Sequence, residues 1–225
     1  MTDTTTGPES TPPARDQSAR AQAIGSWLDE LGSAAPAPGG GAAAALSTAT
    51  AAALVEMVGN LTIGRPAYAE HEARVTAVRD AAHRLRELAL GQVDADAAVF
   101  RALMAAYRLP RDTTGQRAAR GPAIQAATRR AAGVPLDVAA TAAEVIQLAA
   151  ELPGRSNPTV LSDVGVAAAT AAAAIEASAI NVDVNLATLT DAEAKAELTA
   201  QLAAHLTVAV QGRELAGRVR RDVAG

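Results

Sequence analysis

Apolar residues recur along this chain at three- and four-residue spacings, and no segment alternates with period two. That pattern predicts helices and no sheet. From Ala21 to Gly32, Ile24, Trp27, Leu28 and Leu31 share one side of a short amphipathic helix. An alanine-rich run from about Gly41 to Ile63, closed by Gly64 and Pro66, predicts a second helix. A long helical stretch follows from Ala67 to Tyr107, in which Val78, Leu85 and Val99 recur at heptad spacing beside Val75, Ala82, Ala89 and Leu103. Leu109–Pro110 ends it, and Thr113 with Gln116 has the spacing of a capping box. Pro122 and Pro135 then divide residues 113–152 into two helical pieces. The loop from Pro153 to Pro158 leads to a second alanine-rich helix, Asp163 to Leu186, with Ser162 as N-cap. A last amphipathic helix runs from Asp191 to Val219.

The expected fold is therefore all-α: a multihelical bundle of six to eight helices with two central alanine-rich helices, in one domain over residues 21–225. Residues 1–20 are rich in Thr, Pro, Ser and Gly and read as a disordered tail. With 49% hydrophobic but only 2% aromatic residues, the core must be built from Ala, Leu, Val and Ile, which favours helices that approach closely. A net charge of −4 with scattered arginines leaves no nucleic-acid footprint. Cysteine is absent, which excludes disulfides and thiolate chemistry and fits a cytoplasmic protein. No apolar region at the start suggests a signal peptide. Residues 42–58 and 164–180 are long enough to raise the question of a membrane. Alanine is weakly apolar, however, and Glu56, Asn60, Glu176 and Asp183 interrupt or flank these runs. A charge near a bilayer centre costs about 2.5–3.5 kcal/mol, so both runs read as buried helices.

Four clusters carry candidate chemistry. Gly39, Gly40 and Gly41 precede a helix, where glycines free the backbone for positive φ or close approach and unpaired N–H groups suit an anion. At 100° per residue, Thr170, Asn181 and Asn185 fall on the same face as Asp163, while Glu176 and Asp183 lie opposite. Such a stripe implies a polar cleft. Asp163 and Asn181 are nevertheless ~27 Å apart along the axis, so a second subunit or two pockets are required. In the third cluster, Asp96 continues the inward series of the long helix beside Gln92, with Asp94 pointing outward. It is either salt-bridged structure or a functional acid. Last, Glu56 and Asn60 share a face of the first alanine-rich helix, with Arg65 and Tyr68 beyond its end. His71, His83 and His205 have no metal-ligand spacing.

These residues resemble the cyclodeaminase/cyclohydrolase family of tetrahydrofolate enzymes. The matching stretches are PAPGGGAAAAL (36–46), MVGNLTIGR (57–65) with Tyr68, VDADAAVF (93–100), AYRLPRDT (106–113), VPLDVA (134–139), NPTVLSDVGVA (157–167) and AINVDVNL (179–186). Seven modest motifs in register over residues 22–215 are specific together. Ala42 stands where the family often has Ser, and Pro66 and Ala67 stand where it favours lysines, which weakens a role for that corner in binding a folate tail carboxylate.

The resemblance implies a helical homodimer with folate bound near the subunit interface. It further implies no metal or redox cofactor, because acids and amides suffice to handle a cationic one-carbon group. Asp163 and Asp96 are the implied acid/base and cation-stabilising groups. Asn60, Asn181, Asn185, Ser162 and Tyr68 would surround the pterin and its one-carbon group, Gly39–Gly41 would admit the ligand, and Arg65 would meet a glutamate carboxylate. The expected reaction is conversion of 5-formimidoyltetrahydrofolate to 5,10-methenyltetrahydrofolate with loss of ammonia. A separate formimidoyltransferase would supply the loaded folate. The alternatives are a methenyltetrahydrofolate cyclohydrolase and a non-catalytic folate-binding protein.

Overall fold

The computed structural model describes residues 18–225, so most of the expected tail lies outside the described residues. Ser18 to Arg20 pack against the long third helix: Ser18 Oγ donates to Asp94 at 2.6 Å, Ala19 N donates to the same carboxylate at 3.0 Å, and Arg20 pairs with Glu87. Among the described residues there are six α-helices and no strand. They are α1 (Ile24–Leu31), α2 (Gly40–Asn60), α3 (Glu72–Tyr107), α4 (Thr114–Ala150), α5 (Leu161–Thr188) and α6 (Ala192–Ala224). Short 3-10 turns, Pro66–His71 and Pro158–Val160, precede α3 and α5.

The two alanine-rich helices, α2 and α5, run antiparallel. Gly40 at the start of α2 faces Asn181 near the end of α5. At the other end Asn157 N donates to Thr62 Oγ1 at 3.0 Å, and its Nδ2 donates to the carbonyl of Leu61 at 3.3 Å. The core between them is made of small side chains: Ala51, Ala52, Val55 and Val58 of α2, Ala142, Val145 and Ile146 of α4, and Ala168, Ala171, Ala172 and Ile175 of α5. Small residues let helix axes approach closely. The limit is reached at Gly212 of α6, where a Cβ would sit 2.7 Å from Ile146 Cδ1 and 3.1 Å from the Ala168 carbonyl oxygen.

Thr113 caps α4 as expected: its hydroxyl accepts from Gln116 N, and Gln116 returns the bond to Thr113 N. The two prolines do not divide α4, which is one continuous helix of 37 residues. A helical proline frees the carbonyl four residues back. For Pro135 that is Ala131, whose carbonyl instead accepts from Asn185 Nδ2 of α5 at 3.3 Å. For Pro122 it is Ala118, which is exposed and can turn to water.

Two further expectations need correction. Ser162 is not an N-cap: α5 begins at Leu161 with no side-chain cap, and Asn157 caps the preceding 3-10 turn through Thr159 N. Gly39, Gly40 and Gly41 do not use positive φ, which occurs at Gly64, Gly154 and Gly225. In α1 only Trp27 is buried, while Ile24 and Leu28 are 74% and 52% exposed, because no other described element covers that side. The helices α2, α4 and α5 are each long and apolar enough to cross a membrane, yet they pack on one another. In α5 only 44% of the apolar stretch is buried. Val166, Ile180 and Val184 are more than half exposed, and Ala169 and Ala173 lie between them on the same exposed stripe.

Candidate functional site

A cavity of about 310 Å³ lies where the start of α2 meets the middle of α3, the middle of α4 and the last turns of α5. Its polar surface comes from Asp96, Asn181, Asn185 and the Gly39–Gly41 backbone, and its apolar wall from Val99, Phe100, Leu103 and Met104 of α3 with Pro135 of α4. Pro36 and Ala37, in the segment before α2, complete one side. Such a mixture of apolar walls and a few convergent polar groups is the usual character of a small-molecule site, and the volume is at its lower end.

Asp96 is the one titratable side chain of the lining. Its Oδ2 accepts from Ala42 N at 3.0 Å, so the carboxylate caps an orphan N–H in the first turn of α2 from a different helix. The approach requires glycine at 41, since a Cβ there would lie 2.1 Å from Asp96 Oδ1 and 2.7 Å from its Cγ. Of the two readings left open by the sequence, the salt bridge is absent: no cation pairs with Asp96 among the described residues. Desolvation pushes its pKa above the ordinary carboxylate value, against the lowering pull of the Ala42 N–H. A carboxyl group in a cleft with a raised pKa is a candidate for acid/base work.

The two amides are anchored by their nitrogens. Asn181 Nδ2 donates to the Ala177 carbonyl at 2.9 Å, and Asn185 Nδ2 donates to the carbonyls of Asn181 at 2.8 Å and Ala131 at 3.3 Å. Gln92, expected beside Asp96, is buried one turn earlier on α3 and donates to Thr141 Oγ1 at 3.0 Å.

The cavity thus gathers Gly39, Gly40, Gly41, Asp96, Asn181 and Asn185 from three segments. It does not include Asn60, Arg65, Tyr68, Ser162 or Asp163. Those five lie at the opposite end of the α2/α5 pair, where α2 finishes and α5 starts. The 21 residues of α2 place the two ends about 30 Å apart. There Asn60 Oδ1 accepts from Arg79 Nη1 at 3.3 Å, Arg65 and Ser162 are exposed, and Tyr68 and Asp163 are half-buried. Glu56, which shares a face with Asn60, pairs with Arg86 and His83. No cluster among the described residues has the donors for a metal ion. Sequence reasoning missed the apolar wall of Phe100, Met104, Pro135 and Val184. Their periodicity is that of ordinary core residues; Phe100, Pro135 and Val184 lie within the matching stretches VDADAAVF, VPLDVA and AINVDVNL, and Met104 lies in none.

Comparison with known proteins identifies the family and the fold. A sequence model of the family described as formiminotransferase-cyclodeaminase matches residues 23–204. A methenyltetrahydrofolate cyclohydrolase of Methylorubrum extorquens is 42% identical over 76% of this chain and 82% of its own length. A formimidoyltransferase-cyclodeaminase of Sus scrofa is 33% identical over 85% of this chain, but the match spans only 35% of that longer protein. The crystal structure of a formiminotetrahydrofolate cyclodeaminase from Thermotoga maritima shares the fold, with a TM-score of 0.82 over 92% of this chain and 99% of the other at 23% identity.

The Gly41–Asp96 contact generates a prediction. Gly41→Ala should destabilise the fold by about 1–3 kcal/mol, the usual cost of an atom forced into packed space. Gly39→Ala, where a Cβ meets nothing within 4 Å, should change stability by less than about 0.5 kcal/mol. Denaturant melts of the two variants beside the parent chain measure the contrast.

Proposed function

This chain belongs to the formiminotransferase-cyclodeaminase family, and on that premise we propose that its cavity binds a reduced folate and acts on the one-carbon group between N5 and N10. The observation that carries the reading is Asp96, a half-buried carboxyl group without a cationic partner inside a ring-sized cavity. The 5,10-methenyl group is a delocalised cation, and a nearby carboxylate stabilises it and the transition states that lead to and from it. The folate is the substrate here, and the chemistry asks for no resident cofactor.

Of the two reactions, hydrolysis of the methenyl group is favoured over loss of ammonia. The support is 42% identity along most of a stand-alone cyclohydrolase, against 33% along a third of the vertebrate enzyme. In that direction a water oxygen bonds to the one-carbon centre while Asp96 takes a proton from it. The adduct then breaks its bond to N5, to which Asp96 returns the proton, and the remaining hydroxyl proton leaves to solvent. The product is 10-formyltetrahydrofolate with one net proton released. Ammonia loss, the expectation from sequence, uses the same groups in other roles: N10 attacks the amidine carbon, and Asp96 protonates the departing nitrogen.

The working unit in this reading is a homodimer. The exposed stripe Val166, Ala169, Ala173, Ile180 and Val184 is apolar, and Val184 also lines the cavity. A two-fold axis across the middle of this face would lay the start of one α5 over the end of the other. Asp163 of the partner subunit would then approach the cavity, which answers the axial separation of the polar stripe.

Purified protein given 5,10-methenyltetrahydrofolate should produce the 10-formyl compound, and given the 5-formimidoyl compound should release little ammonia. The opposite result would restore cyclodeamination, and inertness toward both would defeat the enzymatic reading. Asp96→Asn should lower turnover about 100-fold or more yet melt no lower than the parent at neutral pH. The sign follows from the raised pKa of Asp96: the folded chain resists its ionisation, a penalty that grows as pH rises past the unfolded value of 3.8. The stability advantage of the variant should therefore vanish below that pH. Mixing inactive Asp96→Asn and Asp163→Asn chains, then allowing subunit exchange, should restore about a quarter of parental activity if each site draws on both subunits.

A further inference from the structure

The amides of Asn181 and Asn185 cannot be turned over. Each Nδ2 faces a backbone carbonyl oxygen, and a carbonyl only accepts, so the nitrogen must be the atom placed there. Asn185 is held twice, because the Ala131 carbonyl left without a donor by Pro135 takes its second N–H. Neither Oδ1 has a hydrogen-bond partner among the described residues, nor does Asp96 Oδ1. Three side-chain oxygens without donors therefore belong to one small cavity. Gly40 keeps its neighbourhood open, with its missing Cβ position 3.7 Å from Asn181 Oδ1. The donors beside them among the described residues are the second N–H of Asn181 Nδ2 and the N–H groups of the first turn of α2, where Ala42 N already serves Asp96.

We propose that Asn181 and Asn185 are fixed hydrogen-bond acceptors that select, within the proposed folate site, a ring edge carrying adjacent N–H donors. A cyclic amide N–H beside an exocyclic amine, the 2-amino-4-oxo edge of a pterin, has that character. Its carbonyl would meet the free N–H groups of Gly40 and Gly41, while Phe100, Met104 and Pro135 cover the ring faces. The cavity of about 310 Å³ accepts one bicyclic ring and leaves the remainder of a folate outside. Pro135 thereby acts as a positioning residue: by freeing the Ala131 carbonyl it holds Asn185 in the acceptor orientation.

The inference rests on the folate reading, and the test separates the two. Full-length protein is titrated with 6-methylpterin and with its analogue lacking the 2-amino group, followed by ligand fluorescence. The parent chain should prefer the aminated ring by roughly tenfold, the usual worth of a hydrogen bond. Asn181→Ala, whose melting temperature is checked alongside, should narrow that preference to about twofold or less. Equal affinity in the parent, or an unchanged preference in the variant, overturns the proposal. If neither pterin binds, the folate reading fails, and the acceptor edge is read in the Asp96→Asn chain from benzamidinium and benzamide, which differ by NH2+ for O. The amidinium alone should then shift the Asn181 and Asn185 side-chain amide resonances. Equal response to both probes, to neither, or a stronger one to benzamide sinks the inference.

Discussion

The carboxylate of Asp96 on the first turn of α2 is the contact that the cavity depends on. It joins residues 54 apart in sequence, on two helices, and supplies an acceptor to a helix end that has no side-chain cap of its own. It forms only because position 41 carries no side chain. The same contact leaves the carboxyl group half-buried with a raised pKa. Held by one backbone N–H and no cation, Asp96 costs stability when ionised, and a residue kept at such a cost fits a chemical role better than a structural one.

A second dependence runs through α4. Proline at 135 would be expected to break or kink a helix by ~3 kcal/mol, but its unpaired carbonyl finds Asn185 on the neighbouring helix. The repair and the site are one arrangement. The nitrogen of Asn185 is occupied in satisfying backbone, and its oxygen remains for whatever occupies the cavity. Close packing makes this possible: α2, α4 and α5 meet through Ala, Gly and Val, so polar side chains at their margins reach across from one helix to the next.

How much of this was legible varies from residue to residue. The inward direction of Asp96 followed from its place in the heptad series of α3, and the shared face of Asn181 and Asn185 from projection at 100° per residue. Asp163 shares that angular face too, but a projection discards distance along the axis, and Asp163 stands at the far end of α5. The break assigned to Pro135 failed because the donor that relieves it comes from another helix. The expected apolar side of α1 exists, but amphipathicity tells which side is greasy and says nothing about whether another element covers it. Periodicity did not mark Phe100 and Met104 as site residues, because a cavity wall and a core have the same periodicity.

The sequence by itself determined the helices, their capping at Thr113, and the small-residue character of the core, since these depend on interactions within a few residues of one another. Tertiary structure alone decided which polar groups meet. The register of α2 against α3 and of α4 against α5 selects Asp96 for Ala42 N and Asn185 for Ala131 O, and a shift of one turn, about 5.4 Å, would undo both. Such register is set by the summed packing of many small side chains, and no local pattern in the chain records it.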